Sequence, residues 1–556
     1  MKKIRLWFPG SVLAVCLLAI GSPVFAGGGR QQASKTPAVN EAAILNPLGQ
    51  LPLLKEKINL SMGVIRNSQV IDLPTNYMTA QLEKDSNIRL EFIYYGSTDS
   101  EAAQKLELQI MAGGDDLPDI INFGVDQVTV SYYGEQGMFI PLENYIQKSA
   151  YFMKPGIAEI PYDPWKYIRS PDGHTYSLFG WQAAFETELV SRIYVNTAWL
   201  KDLGLSMPTT TKEFENMLRA FKNHRFNNDG TKEYPFIDIR SNMSQPRFVA
   251  PLAGPFVYIG GNNRWFYREP NGTISPVFTT PKWREALIWI RSMVDEGLID
   301  PLSFTQDAEQ IKSIGNGTKG YAWGASTYYP LNYMSAEDPR ALTWELMGPL
   351  SGPNGGEPVA TYSTAMPSSR WAVTKNCKYP EAAFRLGDLL MSEKYSVMAR
   401  FGEEGVDWKK PEPGAECYYD GYDPYLVPIL PWGVPQNKHW ANGAPQLNTY
   451  RIMNGMAVKG QIRFIDLWNA EVASKARPYF RMENVIGTIT YNRSEFERRA
   501  EIRANVETYF QECYTRILQR DMSLEQDWDK YLAELKAMGL DTYVEVARAA
   551  YARMNQ

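Results

Sequence analysis

Two adjacent acid pairs, Asp115-Asp116 and Glu403-Glu404, are the first residues whose type and spacing could do chemistry. Cleaving a glycosidic bond takes two carboxyls held on either side of it, one as acid and one as base or nucleophile. Adjacency along the chain does not set that separation, and 62 acidic residues supply many such pairs. Solvated surface acids are therefore the heavier reading. Gly315-Asn316-Gly317-Thr318-Lys319-Gly320 fits the G-x-G-x-x-G pattern. It precedes the apolar Tyr321-Ala322-Trp323 instead of joining a strand to a helix, so it reads as a helix-to-strand turn and not a dinucleotide loop. The phosphate-cradling G-x-x-x-x-G-K-S/T run is absent, as is the nucleophile elbow G-x-S-x-G. His174, His224 and His439 lie far apart, with no C-x-x-C or H-E-x-x-H, so zinc and haem chemistry are not indicated. No catalytic constellation assembles, and the chain is expected not to be an enzyme.

Aromatic side chains form the second candidate set, since 14 of the 15 tryptophans lie beyond residue 26. Trp199, Trp283, Trp289, Trp468 and Trp528 fall in helix-like stretches and are expected to pack. Trp181, Trp323 and Trp408 stand instead where apolar runs meet loops. Trp432 and Trp440 fall in 409–445, a segment without helical or strand period that holds seven prolines, four glycines, four tyrosines and two tryptophans. A loop this long and this aromatic in a folded domain is expected to be functional.

The elements that must position these groups follow from period and length. At 556 residues the chain exceeds what one core sustains, so at least two lobes are expected. Lys2, Lys3 and Arg5 precede an apolar run over 12–20 and then Val24-Phe25-Ala26, which reads as a signal peptide over 1–26. Lipidation at Cys16 is the lesser reading, because Val15 poorly suits the small position before it. The net charge is 57 − 62 = −5, and −8 once the three bases of the leader are removed. That balance excludes a nucleic-acid or anionic-membrane footprint. Cys377, Cys417 and Cys513 then remain, an odd and scattered set that indicates no disulfide framework. Residues 27–54 read as a flexible leader, poor in period. Beyond it, strands predicted at 58–65, 88–95 and 118–123 alternate with helices at 77–85 and 100–112, implying a mainly parallel sheet. A second series starts at 189–195, with a cap over 208–213 and a helix opening at Pro281. From 494 onward the pattern is almost wholly helical.

Several segments, in order along 57–554, carry a resemblance: Gly114-Asp115-Asp116-Leu117-Pro118-Asp119-Ile120-Ile121, Pro171-Asp172-Gly173-His174-Thr175-Tyr176, Tyr194-Val195-Asn196-Thr197-Ala198-Trp199-Leu200, Glu296-Gly297-Leu298-Ile299-Asp300-Pro301 and Tyr379-Pro380-Glu381-Ala382-Ala383-Phe384. Together, behind a signal peptide, they resemble the family 1 extracellular solute-binding proteins of ATP-driven importers, in the long branch of oligosaccharide and alginate binders. The resemblance implies an α/β, two-lobe periplasmic-binding-protein-like fold with an interlobe ligand cleft and a helical C-terminal region. Lobe I is expected at 55–188 and 366–445, and lobe II at 189–365 and 446–556. It further implies an exported monomer, periplasmic or surface-associated, that hands an oligosaccharide to ABC permease subunits. The opposed readings are a secreted polysaccharide-degrading enzyme and a peptide or small-metabolite binder on the same fold.

Sugar rings offer flat apolar faces edged with hydroxyls, so aromatic platforms and a few polar groups are sought at strand-to-loop junctions facing the cleft. The candidates are Asn76, Tyr77, Phe123, Asp126, Trp181, Trp323, Ser326, Tyr328, Tyr329, Glu404, Trp408, Trp432 and Trp440. With few cations near them, a neutral or weakly charged oligosaccharide is expected. Family members often carry a calcium loop after the equivalent of the Ala220-Phe221-Lys222 helix. Here Asn227, Asp229 and Glu233 could ligate, but Arg225 stands where the first acid is expected and the loop runs one residue short, so a capped turn is the heavier expectation and no cofactor is called for.

Overall fold

The computed structural model describes residues 40–555, apart from 150, 190–191, 241–245, 261–264, 329, 331–333, 335–337, 354, 364, 418, 431–433 and 458–470. The signal peptide, Cys16, Tyr329, Trp432 and Trp468 therefore lie outside the described residues.

Strand β1 (Ile58–Ile65) and strand β2 (Ile88–Gly96) pair in parallel from Ile58 opposite Ile88 onward. The helix Tyr77–Ser86 joins them, begun by the Asn76 side chain accepting from the Met78 amide at 3.0 Å and stopped by Asn87 in the left-handed region at φ 58°. Asparagine tolerates that conformation and satisfies a helix end with a short polar arm, so this β-α-β unit is written locally. β3 (Ile120–Ile121), β4 (Leu178–Gln182), β11 (Ser368–Val373) and β14 (Leu447–Asn448) complete a six-stranded sheet in the order β14-β4-β11-β3-β1-β2. Only β11 runs against the others, so the carboxyl ends of five strands share one edge. This sheet takes up Leu447–Asn448, beyond residue 445.

β5 (Tyr194–Asn196), β6 (Tyr234–Phe236), β9 (Trp323–Ser326) and β10 (Trp344–Leu346) form a second sheet in the order β10-β5-β9-β6, with β5 antiparallel to its neighbours, while β7 (Phe266–Arg268) pairs with β8 (Ile274–Pro276) and β12 (Trp408–Lys409) with β13 (Val427–Pro428). The helix Thr211–Lys222 packs beside β6 and opens on a capping box, with the Thr210 hydroxyl accepting from the Glu213 amide at 3.1 Å and the Glu213 carboxylate accepting from the Thr210 amide at 3.3 Å. Thr210→Ala is expected to lower stability by about 1 kcal/mol, read as a shift in the urea midpoint. Gly324 lets this helix approach β9, since a Cβ there would meet the Phe221 ring at 2.3 Å. The C-terminal helices Arg493–Leu518, Leu524–Ala537 and Leu540–Met554 bury Phe510, Tyr531 and Tyr543 in the same core as Trp199 and Trp283. Phe278 stacks on Phe510 at 4.1 Å and 4°.

The chain passes between the sheets at 183–193 and 347–367. The two passages pair where Leu189 bridges Tyr362, and the Ser363 amide donates to the Glu188 carbonyl at 2.9 Å. One expectation changes here: the leader is packed from Glu41 onward. Glu41 accepts from the Ala382 amide at 2.7 Å, Arg385 donates to the Asn46 carbonyl at 2.7 Å, and Leu53 and Leu54 are buried. Caps and single apolar contacts hold that segment, which is why it shows no period.

Candidate functional site

The shared carboxyl edge of the six-stranded sheet carries a narrow groove, about 500 Å³ when its open mouth is counted. Arg66 and Asn67 follow β1, Tyr94 stands near the end of β2, and Asn122 follows β3; Phe92 and Trp440 supply ring surface. The Arg66 guanidinium lies 4.4 Å over the Tyr94 ring. Trp440 is buried to 2% exposure, its indole donating to the Thr79 hydroxyl at 2.9 Å and its ring set edge-on to Phe92 at 6.0 Å. It floors the groove without offering a free face. Asn122 donates to the Gly443 carbonyl at 2.8 Å, while its own side-chain oxygen is buried with no hydrogen-bond partner among the described residues. A buried acceptor without a donor costs about 1–3 kcal/mol, a deficit that an incoming hydroxyl can remove.

A second groove of about 910 Å³, counting its open mouth, lies between the start of the helix Tyr77–Ser86 and the helix Glu393–Phe401. Tyr77, Trp408 and Tyr425 give it three aromatic walls; Glu403, Glu404 and Lys410 give it charge. Lys410 lies 5.3 Å over Trp408 and 5.7 Å over Tyr425, and Lys438 lies 5.3 Å over Tyr77 while pairing with Glu403 at 2.9 Å. Burial works to raise the Glu393 carboxyl, but Tyr425 and Arg451 outweigh it and hold it below the usual range. The Glu403 carboxylate holds the Lys438 ammonium above its usual value. The acids and bases thus neutralise one another and leave rings and hydrogen-bonding groups as the recognition surface. Tyr77, Glu404 and Trp408 are sequence candidates that the fold brings together here.

Most of the other described candidates serve the fold. Trp181 is 1% exposed beside the paired passages, its indole donating to the Ala365 carbonyl at 2.9 Å and its ring edge-on to Tyr450 at 5.7 Å. Trp323 is 1% exposed in β9 and packs at 6.2 Å against Trp344, so it is core and not a platform. Phe123 is buried against Tyr95 at 5.1 Å. Asn76 and Asp126 are helix caps, the latter accepting from the Val128 amide at 2.7 Å. Ser326 is buried, its hydroxyl accepting from the Tyr328 amide at 3.0 Å. Tyr328 sits at the carboxyl end of β9 with Arg247 6.0 Å over its ring. Beside it Asp238 is fully buried and accepts from the Thr327 hydroxyl and the Ile239 amide; burial pushes its carboxyl up to about 6. Arg66, Tyr94, Asn122 and Tyr425 were missed. The residue after a predicted strand was the available signal for Arg66, and the aromatic loop was the signal for Tyr425; Asn122 falls inside the strand predicted at 118–123, which ends at Ile121.

The family's calcium loop meets a different donor arrangement here. The Glu233 carboxylate accepts from the Phe226 amide at 2.9 Å and also from the Asn227 amide. Asn227 donates its side-chain amide to the Tyr321 carbonyl at 2.8 Å, and Asp229 accepts from the Thr231 amide at 2.9 Å. Among the described residues no group of three His, Cys, Asp or Glu could hold a metal ion. With Arg225 in the first position and the Glu233 carboxylate engaged by its own loop's amides, the donor set at 225–233 does not fit a calcium ion.

A six-stranded and a four-stranded sheet joined by paired passages, with an aromatic groove at the carboxyl edge of the first, define a two-lobe solute binder. Residues 77–401 match the family model described as bacterial extracellular solute-binding protein, and the chain belongs to that family. The fructooligosaccharide ABC transporter substrate-binding protein FusA of Streptococcus pneumoniae serotype 4 is 24% identical over 552 residues, covering 96% of each chain. The structure of a FusA EF-hand mutant in complex with fructo-nystose superposes at a TM-score of 0.72 and 23% identity, covering 90% of this chain and 99% of that one. An HMO-binding, ABC-transporter-associated solute-binding protein from Bifidobacterium longum infantis superposes at 0.72 and 21% identity, covering 89% and 98%. These relatives are binding proteins, and no helix among the described residues is long and apolar enough to cross a membrane.

Proposed function

We propose that this protein is the exported solute-binding component of an ATP-driven importer. It holds a neutral or weakly charged oligosaccharide between lobe I (55–188 and 366–445, extended to the strand at 448) and lobe II (the remainder to 556), and passes it unaltered to membrane permease subunits. It acts as a monomer, released by cleavage after Ala26, without nucleic acid and without a cofactor. The observation that carries this reading is the aromatic-lined groove at the carboxyl edge of the six-stranded sheet, where the buried Asn122 oxygen has no donor among the described residues. The fructooligosaccharide named for FusA and the oligosaccharide named for the Bifidobacterium protein support the ligand class. The edge of the second sheet at Tyr328 closes over the ligand as the lobes turn about the pairing of Leu189 with Tyr362.

Fructooligosaccharides and other neutral oligosaccharides are the ligands to test, by calorimetry and by thermal melting. Binding should raise the melting point, change little with added salt and leave chain length unchanged. Tyr94→Ala should weaken binding by about 1–3 kcal/mol while the ligand-free variant melts near the parent, because the half-buried ring lines the groove and touches only the margin of the core. Release of reducing ends at catalytic rates would overturn the reading in favour of an enzyme. Unchanged affinity in the Tyr94 variant would remove this groove from the site.

A further inference from the structure

The 225–233 loop is closed by a set of contacts that leaves no role for a metal. Phe226 lies flat on Trp199, with ring centres 3.9 Å apart and planes at 4°, and Trp199 is buried in the core of the second lobe. Glu233 is turned inward onto the backbone amides of Phe226 and Asn227, so the acid that would ligate an ion is engaged by donors of its own loop. Turning it outward would strand those amides. Lys232 reaches across to Asp300 at 3.0 Å and lies 4.4 Å over the Tyr234 ring. Asp300 in turn caps the short helix Pro301–Phe304, and its amide donates to the Phe236 carbonyl of β6 at 3.0 Å. The Lys232 ammonium thus meets an acid that is tied directly to β6, the strand that leads to Asp238 on the lobe edge.

We infer that this loop takes no divalent cation, and that the Lys232 ammonium supplies the positive charge that ties it to Asp300 and β6. The consequence is a solute binder whose second lobe keeps its edge in place at any calcium concentration. The relative whose solved form is an EF-hand mutant provides the contrast.

The test is thermal melting of the full exported chain after EDTA treatment, in EDTA and in about 5 mM calcium chloride, with a calorimetric titration of calcium chloride alone. The two melting points are expected to agree within about 2 °C, with no saturable heat, because an ion that binds only the folded state must raise its melting point. A larger rise, or a saturable isotherm, overturns the inference. Lys232→Met is expected to lower the melting point by the same amount in both buffers, since what it loses is an internal charge. A Lys232→Met protein whose melting point calcium restores would show that an ion can take that place, and would overturn it too. Neither arm uses an oligosaccharide, so failure here leaves the proposed ligand class untouched.

Discussion

Trp323→Ala is expected to lower the stability of the ligand-free protein by about 3–5 kcal/mol, the cost of a tryptophan-sized truncation in a packed core. β9 lies between β5 and β6, and Trp323 is 1% exposed in a cluster with Tyr234, Ile311, Trp344 and Leu346. Removing the ring opens a cavity that flanking strands on both sides prevent from collapsing. Urea unfolding measures it directly. A loss below about 1 kcal/mol, accompanied by weakened oligosaccharide binding, would return Trp323 to the ligand cleft.

The second large effect is pH-dependent. Asp388 sits 1% exposed in the helix Pro380–Leu390, and burial pushes its carboxyl up to about 8, against the pull of the Met153 and Phe152 amides it faces. An acid whose folded value lies above its unfolded one takes up a proton on folding. Its contribution is therefore complete below the unfolded value of 3.8 and is lost progressively as the pH rises to about 8. Asp388→Asn removes that slope. At pH near 9 the variant should be more stable than the parent by up to about 5 kcal/mol, while near pH 4 the two should be close. Thermal melting at the two pH values decides it: an equal difference at both would mean that Asp388 is ionised throughout.

Much of the fold was legible because it is local. The caps at Asn76 and over 208–213, the helix opened by Pro281 and the helix-to-strand turn through Gly315–Gly320 each involve partners within a few residues, and each stands where the chain implied. Export, the two βα series and the helical terminus rest on composition and period in the same way. The ordered segment after Glu41 was not legible, because its holds are single contacts to distant residues, Glu41 and Asn46 to the helix Pro380–Leu390 and Leu53 and Leu54 to Asp85 and Ser86.

The candidate site divides along the same line. By itself, the sequence determined that aromatic residues and capping polar groups gather at the ends of strands. Only the tertiary structure decided which of those rings face open space. Trp323 and Tyr94 both stand in or beside apolar strands, but β9 lies inside its sheet with both faces covered, while β2 is an edge strand whose Tyr94 is half-buried on a groove. A ring's exposure is set by the layers packed above and below its strand, and those layers come from distant parts of the chain. In the same way Glu233 looks like a metal ligand until the fold shows that its oxygens are taken by the amides of Phe226 and Asn227. Residue type limits what a side chain can bind, but the three-dimensional neighbourhood decides whether a partner already occupies it.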